Sequence, residues 1–329
     1  MKKDKDIFND MENDITNSNQ LSDQEKTKLL KNVQKLKNHK VNLMITGATG
    51  SGKSSTINAL FNVEVAKVGV GVDPETMDIQ KYELDNLILW DSPGLGDGKE
   101  KDIQHSKGII KKLNELDKDN KPLIDLVLVI LDGSTRDLGT SYELINQVII
   151  PNIGENAKDR VLIAINQADV AMKGRYWDYT NNEPEPKLVS FLEEKAESVR
   201  RRVKEGTGVD IKPIYYSAGY KEEGEQQNPY NLSKLLYFIV KHTPPEKRPG
   251  YINNISDKKE MWEDDDKLMD YQKEIRKSFA ESVIEGATKG ADIGGDIGSI
   301  FGETGKTIGR AVGTVVGAIG GAISSLFSW

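Results

Sequence analysis

Eight consecutive residues, Gly47-Ala48-Thr49-Gly50-Ser51-Gly52-Lys53-Ser54, carry the spacing G-x-x-x-x-G-K-S. Glycines at this density let a backbone curl until successive N–H groups point inward, and a helix starting there adds its positive end. The chemistry that follows is the cradling of phosphate. Lys53 would reach the β- and γ-phosphates and the Ser54 hydroxyl would ligate Mg2+, so Gly47, Thr49, Gly50, Ser51, Gly52, Lys53, Ser54 and Ser55 form a candidate nucleotide-binding loop. Downstream, Asp91-Ser92-Pro93-Gly94 ends an apolar run. That spacing sets a carboxylate beside Mg2+ and the Gly94 N–H within reach of a γ-phosphate. Asn166-Gln167-Ala168-Asp169 ends another apolar run, and the Asp169 carboxylate matches the N1–H and 2-amino donors of guanine, a pair that adenine lacks. Ser217-Ala218-Gly219 offers backbone N–H groups to a base oxygen.

These groups converge only if the chain brings the ends of several strands together. Six apolar runs suit strands: Val41–Thr46, Met77–Leu84, Leu87–Asp91, Leu126–Leu131, Arg160–Ile165 and Ile211–Tyr216. Helical patterns alternate with them at Ser54–Phe61, Ile103–Asn120, Thr140–Ile149, Lys187–Lys204 and Leu232–Lys241. Near-continuous Val/Ile/Leu runs are those of strands covered on both faces. The expected fold is therefore α/β, a mostly parallel six-stranded sheet with helices on both sides, over residues 41–245. Residues 1–40 read as a polar, mobile arm followed by a helix whose start, Ser22-Asp23-Gln24-Glu25, is a capping box. Val170–Pro186 reads as a surface insertion, and residues 246–285 as an acidic connector, helical over Trp262–Glu285. The 329 residues hold 45 basic and 52 acidic side chains, net −7, which supplies no electrostatic reason to bind DNA. There is no cysteine, so disulfides, thiolate metal sites and Cys nucleophiles are excluded, and no signal peptide is expected at the polar N-terminus. His39, His105 and His242 stand far apart and read as surface residues; Asp132 and Asp137 read as loop caps.

From Val41 to Pro245 the chain resembles the translation-factor-related P-loop GTPases of the Era-like branch. Within that branch Gly47–Phe61, Val68–Gln80, Trp90–Asp97 and Asn166–Trp177 resemble the bacterial prophage-type YfjP/YeeP GTPases. The resemblance implies GTP and GDP as ligands, Mg2+ held by Ser54, Thr76 and Asp91, and a catalytic set of Lys53, Thr76 and Gly94. It also implies base and loop contacts from Asn166, Gln167, Asp169, Ser217 and Ala218. Two residues depart from the pattern. Gln167 replaces the lysine whose stem covers guanine, which predicts weaker affinity. Leu95 replaces a water-positioning glutamine, which predicts slow hydrolysis. Gly50 stands where some relatives carry the Asn that recruits potassium, and Arg136 and Lys99 are the loop cations that could act as a finger. The expected activity is a slow, Mg2+-dependent GTPase acting as a cytoplasmic switch. A ribosome-assembly GTPase and a membrane-acting defence or toxicity effector restrained by its G domain are the alternatives.

The C-terminal residues 286–329 keep an unusual beat. Gly286, Gly290, Gly294, Gly298 and Gly302 fall four apart, and after a step of three Gly305, Gly309, Gly313, Gly317 and Gly321 do the same. On a helix they form one slowly drifting stripe beside Ile293, Ile297, Phe301, Ile308, Val312 and Val316. Twelve glycines would disfavour an isolated helix by about 10 kcal/mol, so close packing must offset that loss. Three readings stay open for Gly286–Trp329: a membrane-associating or tail-anchored glycine zipper at the inner membrane, self-association or docking on the GTPase domain, and a disordered tail.

Overall fold

The computed structural model describes residues 6–19, 21–63, 67–70, 79–222, 225–288 and 326–327. The chain opens with α1 (Ile7–Asn17) and α2 (Asp23–Asn38) before entering β1 (Val41–Gly47) and α3 (Lys53–Leu60). There follow β2 (Lys67–Val70), β3 (Gln80–Glu83), β4 (Leu87–Asp91), α4 (Lys99–Leu113) and β5 (Leu126–Asp132). α5 (Gly139–Glu143) runs through a π-helical stretch, Leu144–Ile149, into α6 (Ile150–Asn152) and then α7 (Ala157–Arg160) and β6 (Val161–Asn166). A small hairpin, β7 (Trp177–Asp178) and β8 (Glu183–Pro184), precedes the long α8 (Pro186–Thr207) and the short β9 (Ile214–Tyr215). A second hairpin, β10 (Tyr220–Glu222) and β11 (Glu225–Gln227), leads to α9 (Leu232–His242) and finally α10 (Tyr271–Thr288).

The main sheet has the order β2-β3-β4-β1-β5-β6-β9. β4, β1, β5, β6 and β9 are parallel, and β2 and β3 add an antiparallel edge. Six strands overlap the expected ones; β2 is an additional edge strand. Alternation along the strands explains both layers. Leu126, Leu128 and Ile130 of β5 face one cluster with α2, α3, α9 and α10, while Val127, Val129 and Leu131 face another with α4 and α8. β9 is shorter than its apolar run because Pro213 has no N–H to give a ladder. α4 starts one turn earlier than its pattern and stops at Leu113, where Asp117 Oδ1 accepts from the N–H groups of Asp119 and Lys121 and turns the chain.

Both flanks of the sheet domain depart from expectation. The N-terminal arm is not a mobile segment over residues 7–17. Phe8, Met11 and Ile15 recur at helical spacing, and all three are buried in the cluster that holds α2 and α10. The acidic connector becomes part of the core. Its helix begins at Tyr271 rather than Trp262, because the backbone of Asp264 and Asp266 is spent on Asn231: the Asn231 N–H donates to Asp264 O, and Asn231 Oδ1 accepts from Asp266 N at 2.8 Å. Ile275, Phe279, Val283 and Ile284 of α10 are buried. The first glycine of the stripe, Gly286, lies against α2. A Cβ there would meet Leu36 Cδ1 and Cγ at 3.0 Å, and Asn32 Nδ2 donates to the neighbouring Ala287 O at 2.7 Å. At the far end, Phe327 stands edge-on to Trp262 at 5.4 Å and Arg276 Nη1 donates to Leu326 O. Thr76 and the stripe from Gly290 to Gly321 lie outside the described residues. Among the described residues no helix is long and apolar enough to cross a membrane.

Since Phe279 is fully buried between α10 and its neighbours, Phe279→Ala is expected to lower stability by about 3–5 kcal/mol in urea unfolding. Leu268→Ala, at a side chain 77% exposed, should change it by no more than about 0.5 kcal/mol.

Candidate functional site

Parallel strands deliver their C-terminal ends to one edge of the sheet, and the loops after β1, β4, β6 and β9 meet there. β1 ends in Gly47, whose Cβ would collide with Ile130 O on β5, so only glycine fits. The loop then turns through Gly50 at φ +79° and Gly52 at φ +86°, left-handed values that favour glycine, and Gly52 caps α3. Ser54 and Ser55 lie exposed on the first turn of α3. Lys53 folds back over the loop, its Nζ donating to Gly47 O at 3.3 Å and Ala48 O at 3.1 Å. Burial pushes its ammonium below the usual lysine range, opposed by the charges of Asp91 and Asp97.

Asn166, the last residue of β6, joins the loops. Its Nδ2 donates to Ser51 O at 3.0 Å and its Oδ1 accepts from Ala218 N at 2.9 Å, so one side chain spans the glycine loop and the Ser217-Ala218-Gly219 loop. A Cβ at Gly52 would strike Asn166 Nδ2, which ties the glycine to this contact. Gln167, at φ +61°, donates from Nε2 to Gly50 O at 2.8 Å. Ala168 N donates to Tyr216 O at 3.1 Å, and Asp169 is buried beside it at 5% exposure. Ser217 pairs with Tyr230 in both directions, at 3.0 and 2.9 Å, and thereby fixes the third loop.

Asp91 ends β4. Its carboxylate is buried, and Oδ1 finds no partner among the described residues; the buried Ser51 Oγ is left in the same state. Burial pushes the Asp91 carboxyl up to about 6, against the pull of Lys53. Gly94 passes so close to Thr49 that a Cβ would lie 2.6 Å from the Thr49 N and 2.7 Å from its Cα. Thr49 N donates to Leu95 O at 2.9 Å, and the Leu95 side chain is buried in the apolar cluster under β4.

Thus Gly47 to Ser55, Asp91, Gly94, Asn166, Gln167, Asp169, Ser217 and Ala218 gather at one edge, while Thr76 lies outside the described residues. Asp132 Oδ1 accepts from Ser134 N and Asp137 Oδ1 from Gly139 N, both as loop caps. Arg136 and Lys99 are exposed. His105 is not a plain surface residue: it is half-buried, with Nδ1 3.2 Å from Gly94 O. Three partners escaped the sequence reading. Asp97 accepts from Thr49 Oγ1 at 3.0 Å, and the buried Tyr216 hydroxyl meets Thr56 Oγ1 at 2.6 Å. Trp177 packs edge-on against Tyr230 at 5.3 Å. Their only signal was position, each within a few residues of a motif. Among the described residues no group of His, Asp and Glu has the makings of a separate metal site.

Residues 42–167 match the protein-family model described as 50S ribosome-binding GTPase. The chain is 30% identical over 148 residues to the uncharacterized protein YfjP of Escherichia coli K12, an alignment covering 44% of this chain and 47% of that one. It is 42% identical over 62 residues to the interferon-inducible GTPase 1 of Mus musculus, covering 17% of this chain and 15% of that one. The chain therefore spans about half or less of the curated relatives it matches. Among solved structures it is similar to the LeoA bacterial dynamin GTPase from ETEC, with TM-score 0.39, 14% identity, and 66% of this chain and 36% of that chain covered. It is also similar to the G domain of the T. maritima FeoB iron transporter, with TM-score 0.34, 18% identity, and 62% of this chain and 99% of that chain covered.

Asp91 supplies a signed test of the site's electrostatics. Its folded value lies above the ordinary 3.8, so the ionised form is penalised, and stability present below about pH 4 is lost as pH rises through about 6. Asp91→Asn should therefore stabilise the nucleotide-free protein by about 3 kcal/mol at pH 7.5 and by less than about 1 kcal/mol at pH 4, as read from thermal midpoints at the two pH values.

Proposed function

Because residues 42–167 are a P-loop GTPase domain, we propose that this chain is a slow, Mg2+-dependent GTPase whose nucleotide state acts on its C-terminal segment. The observation that carries the reading is the Asn166 side chain bridging the glycine loop and the Ser217-Ala218 loop, the two loops that in this reading take the phosphates and the base. In this reading the N–H groups of Gly50 and Gly52, with Lys53 and Ser55, take the phosphates, in a loop whose shape Gly47, Thr49 and Ser51 hold through their own backbone bonds. Asp169 reads the guanine edge beside Asn166, Gln167, Ser217 and Ala218. Gln167 spends its amide on Gly50 O, so it leaves the guanine face less covered than a lysine stem would.

The donor set fits a magnesium ion. A buried carboxylate with a partnerless oxygen sits at the end of β4, and the Ser54 hydroxyl is exposed at the start of α3. Ser54 and Asp91, with Thr76, would hold the ion, which when bound neutralises charge on the β- and γ-phosphate oxygens. Lys53 adds its own charge to the same oxygens and Gly94 N–H faces the γ-phosphate. Leu95, buried and apolar, orients no water, and on this reading the turnover of GTP and water to GDP and phosphate is slow.

Coupling to the tail rests on the two described ends of the glycine-stepped segment. Gly286 presses on Leu36 and Phe327 on Trp262, both within the helical layer that covers one face of the G domain's sheet. These two contacts support docking on the chain's own helices at Gly286 and Phe327, with self-association or a membrane as the alternative destination of the C-terminal segment. A second reading, action on the ribosome, is favoured by the family description over residues 42–167, and co-sedimentation with ribosomal subunits is its test.

Asp169→Asn is expected to weaken GTP binding about 10- to 100-fold and to improve XTP binding by a similar factor in calorimetric titration, the effect of exchanging one charged hydrogen-bond partner. GTP preferred over XTP as strongly as in the parent protein would place the base-reading carboxylate elsewhere.

A further inference from the structure

If the site hydrolyses GTP, as the preceding reading holds, some group must orient the attacking water, and Leu95 does not. Two residues beyond it, the chain turns back toward the phosphate loop. Gly96 at φ +110° and Gly98 at φ +115° bracket Asp97, and Gly96 N is pinned to α4 through Asp102 Oδ1 at 2.9 Å. In that turn Asp97 Oδ1 accepts from Thr49 Oγ1 at 3.0 Å, while the second carboxylate oxygen has no partner among the described residues. Thr49 itself is held from the other side, by the close passage of Gly94 and by its N–H bond to Leu95 O. The charges of two carboxylates, Asp91 and Asp97, thus act on the Lys53 ammonium. Asp91 is buried and lies in the proposed ion set, whereas Asp97 is exposed to solvent on the side where Gly94 approaches the loop.

We propose that Asp97 is the water-orienting group of this GTPase and that Thr49 is its positioning residue. The free carboxylate oxygen accepts a hydrogen bond from the attacking water. The water oxygen forms the new bond to the γ-phosphorus as the bond from that phosphorus to the bridging oxygen breaks, and the bridging electron pair leaves with GDP. The proton released by the water passes to the Asp97 carboxylate and from there to the departing phosphate, so the carboxylate is restored. Lys53 offsets the repulsion between this carboxylate and the phosphate oxygens.

The test is single-turnover hydrolysis of GTP with Mg2+, measured on the full chain together with calorimetric affinity for GTP and for a non-hydrolysable analogue. Asp97→Asn keeps an acceptor for Thr49 but loses the base, and should slow hydrolysis about 100-fold with both affinities and the thermal midpoint unchanged. Asp97→Glu should recover part of the rate. Thr49→Val, which lacks the hydroxyl, should lose about 10-fold of the rate, and Thr49→Ser, which keeps the hydroxyl, should recover part of that loss. Hydrolysis by Asp97→Asn within threefold of the parent rate would overturn the proposal, as would a parent protein that binds GTP but turns it over no faster than the uncatalysed reaction. A parent protein that fails to bind GTP at all would instead remove the GTPase reading, and this inference with it.

Discussion

One side-chain amide holds the site together. Asn166 ends a fully buried strand and satisfies Ser51 O with its donor and Ala218 N with its acceptor, two backbone groups more than 160 residues apart in the chain. Both bonds are buried, and a buried backbone group left unpaired costs about 1–3 kcal/mol, so the two loops are fixed at one separation. In the proposed function, that separation lets the glycine loop and the Asp169 carboxylate address a single molecule. The need for glycine at position 52 follows from the same contact, since the Asn166 amide occupies the space a side chain would fill.

The sheet beneath is apolar on both faces and must be covered on both. On one face α4, α8 and the π-helical stretch Leu144–Ile149 provide the cover. On the other, α3 and α9 are joined by α1, α2 and α10, which come from outside the strand-and-helix alternation, so the N- and C-terminal segments become parts of the same core. Asn231 strengthens this union. It stands at the start of α9, donates from Nδ2 to Tyr215 O at the end of the sheet, and holds the Asp264–Asp266 backbone with its own N–H and Oδ1. The end of the sheet that leads into Ser217 and the chain that leads to α10 are therefore bonded to one residue. Lys234 and Asp266, paired at 2.6 Å with little exposure, anchor the same junction.

Strands covered on both faces announce themselves as Val/Ile/Leu runs, and the glycine loop, Asp91, Asn166 and Asp169 are legible because each follows such a run. α1 was hidden because its buried residues are only Phe8, Met11 and Ile15 among acidic and amide side chains, and its burial depends on α2 and α10, tertiary partners that local composition does not reveal. The late start of α10 was hidden for a similar reason, as the residues before it have helical character but their backbone is claimed by Asn231. β2 has four residues and no long apolar run. Asp97 was invisible as a partner of Thr49, because a contact across 48 positions depends on how Gly94 and Gly96 turn the chain.

The account stands on the claim that Asn166 makes two loops into one nucleotide site. Its most direct measurement is GTP affinity of Asn166→Ala by calorimetry, with amide hydrogen exchange across residues 48–52 and 217–219 in the same protein. The account predicts a folded sheet, a loss of affinity of about 100-fold, and faster exchange in both loops together, as removal of two buried hydrogen bonds requires. Affinity within threefold of the parent, or exchange that changes in one loop and not the other, would contradict it.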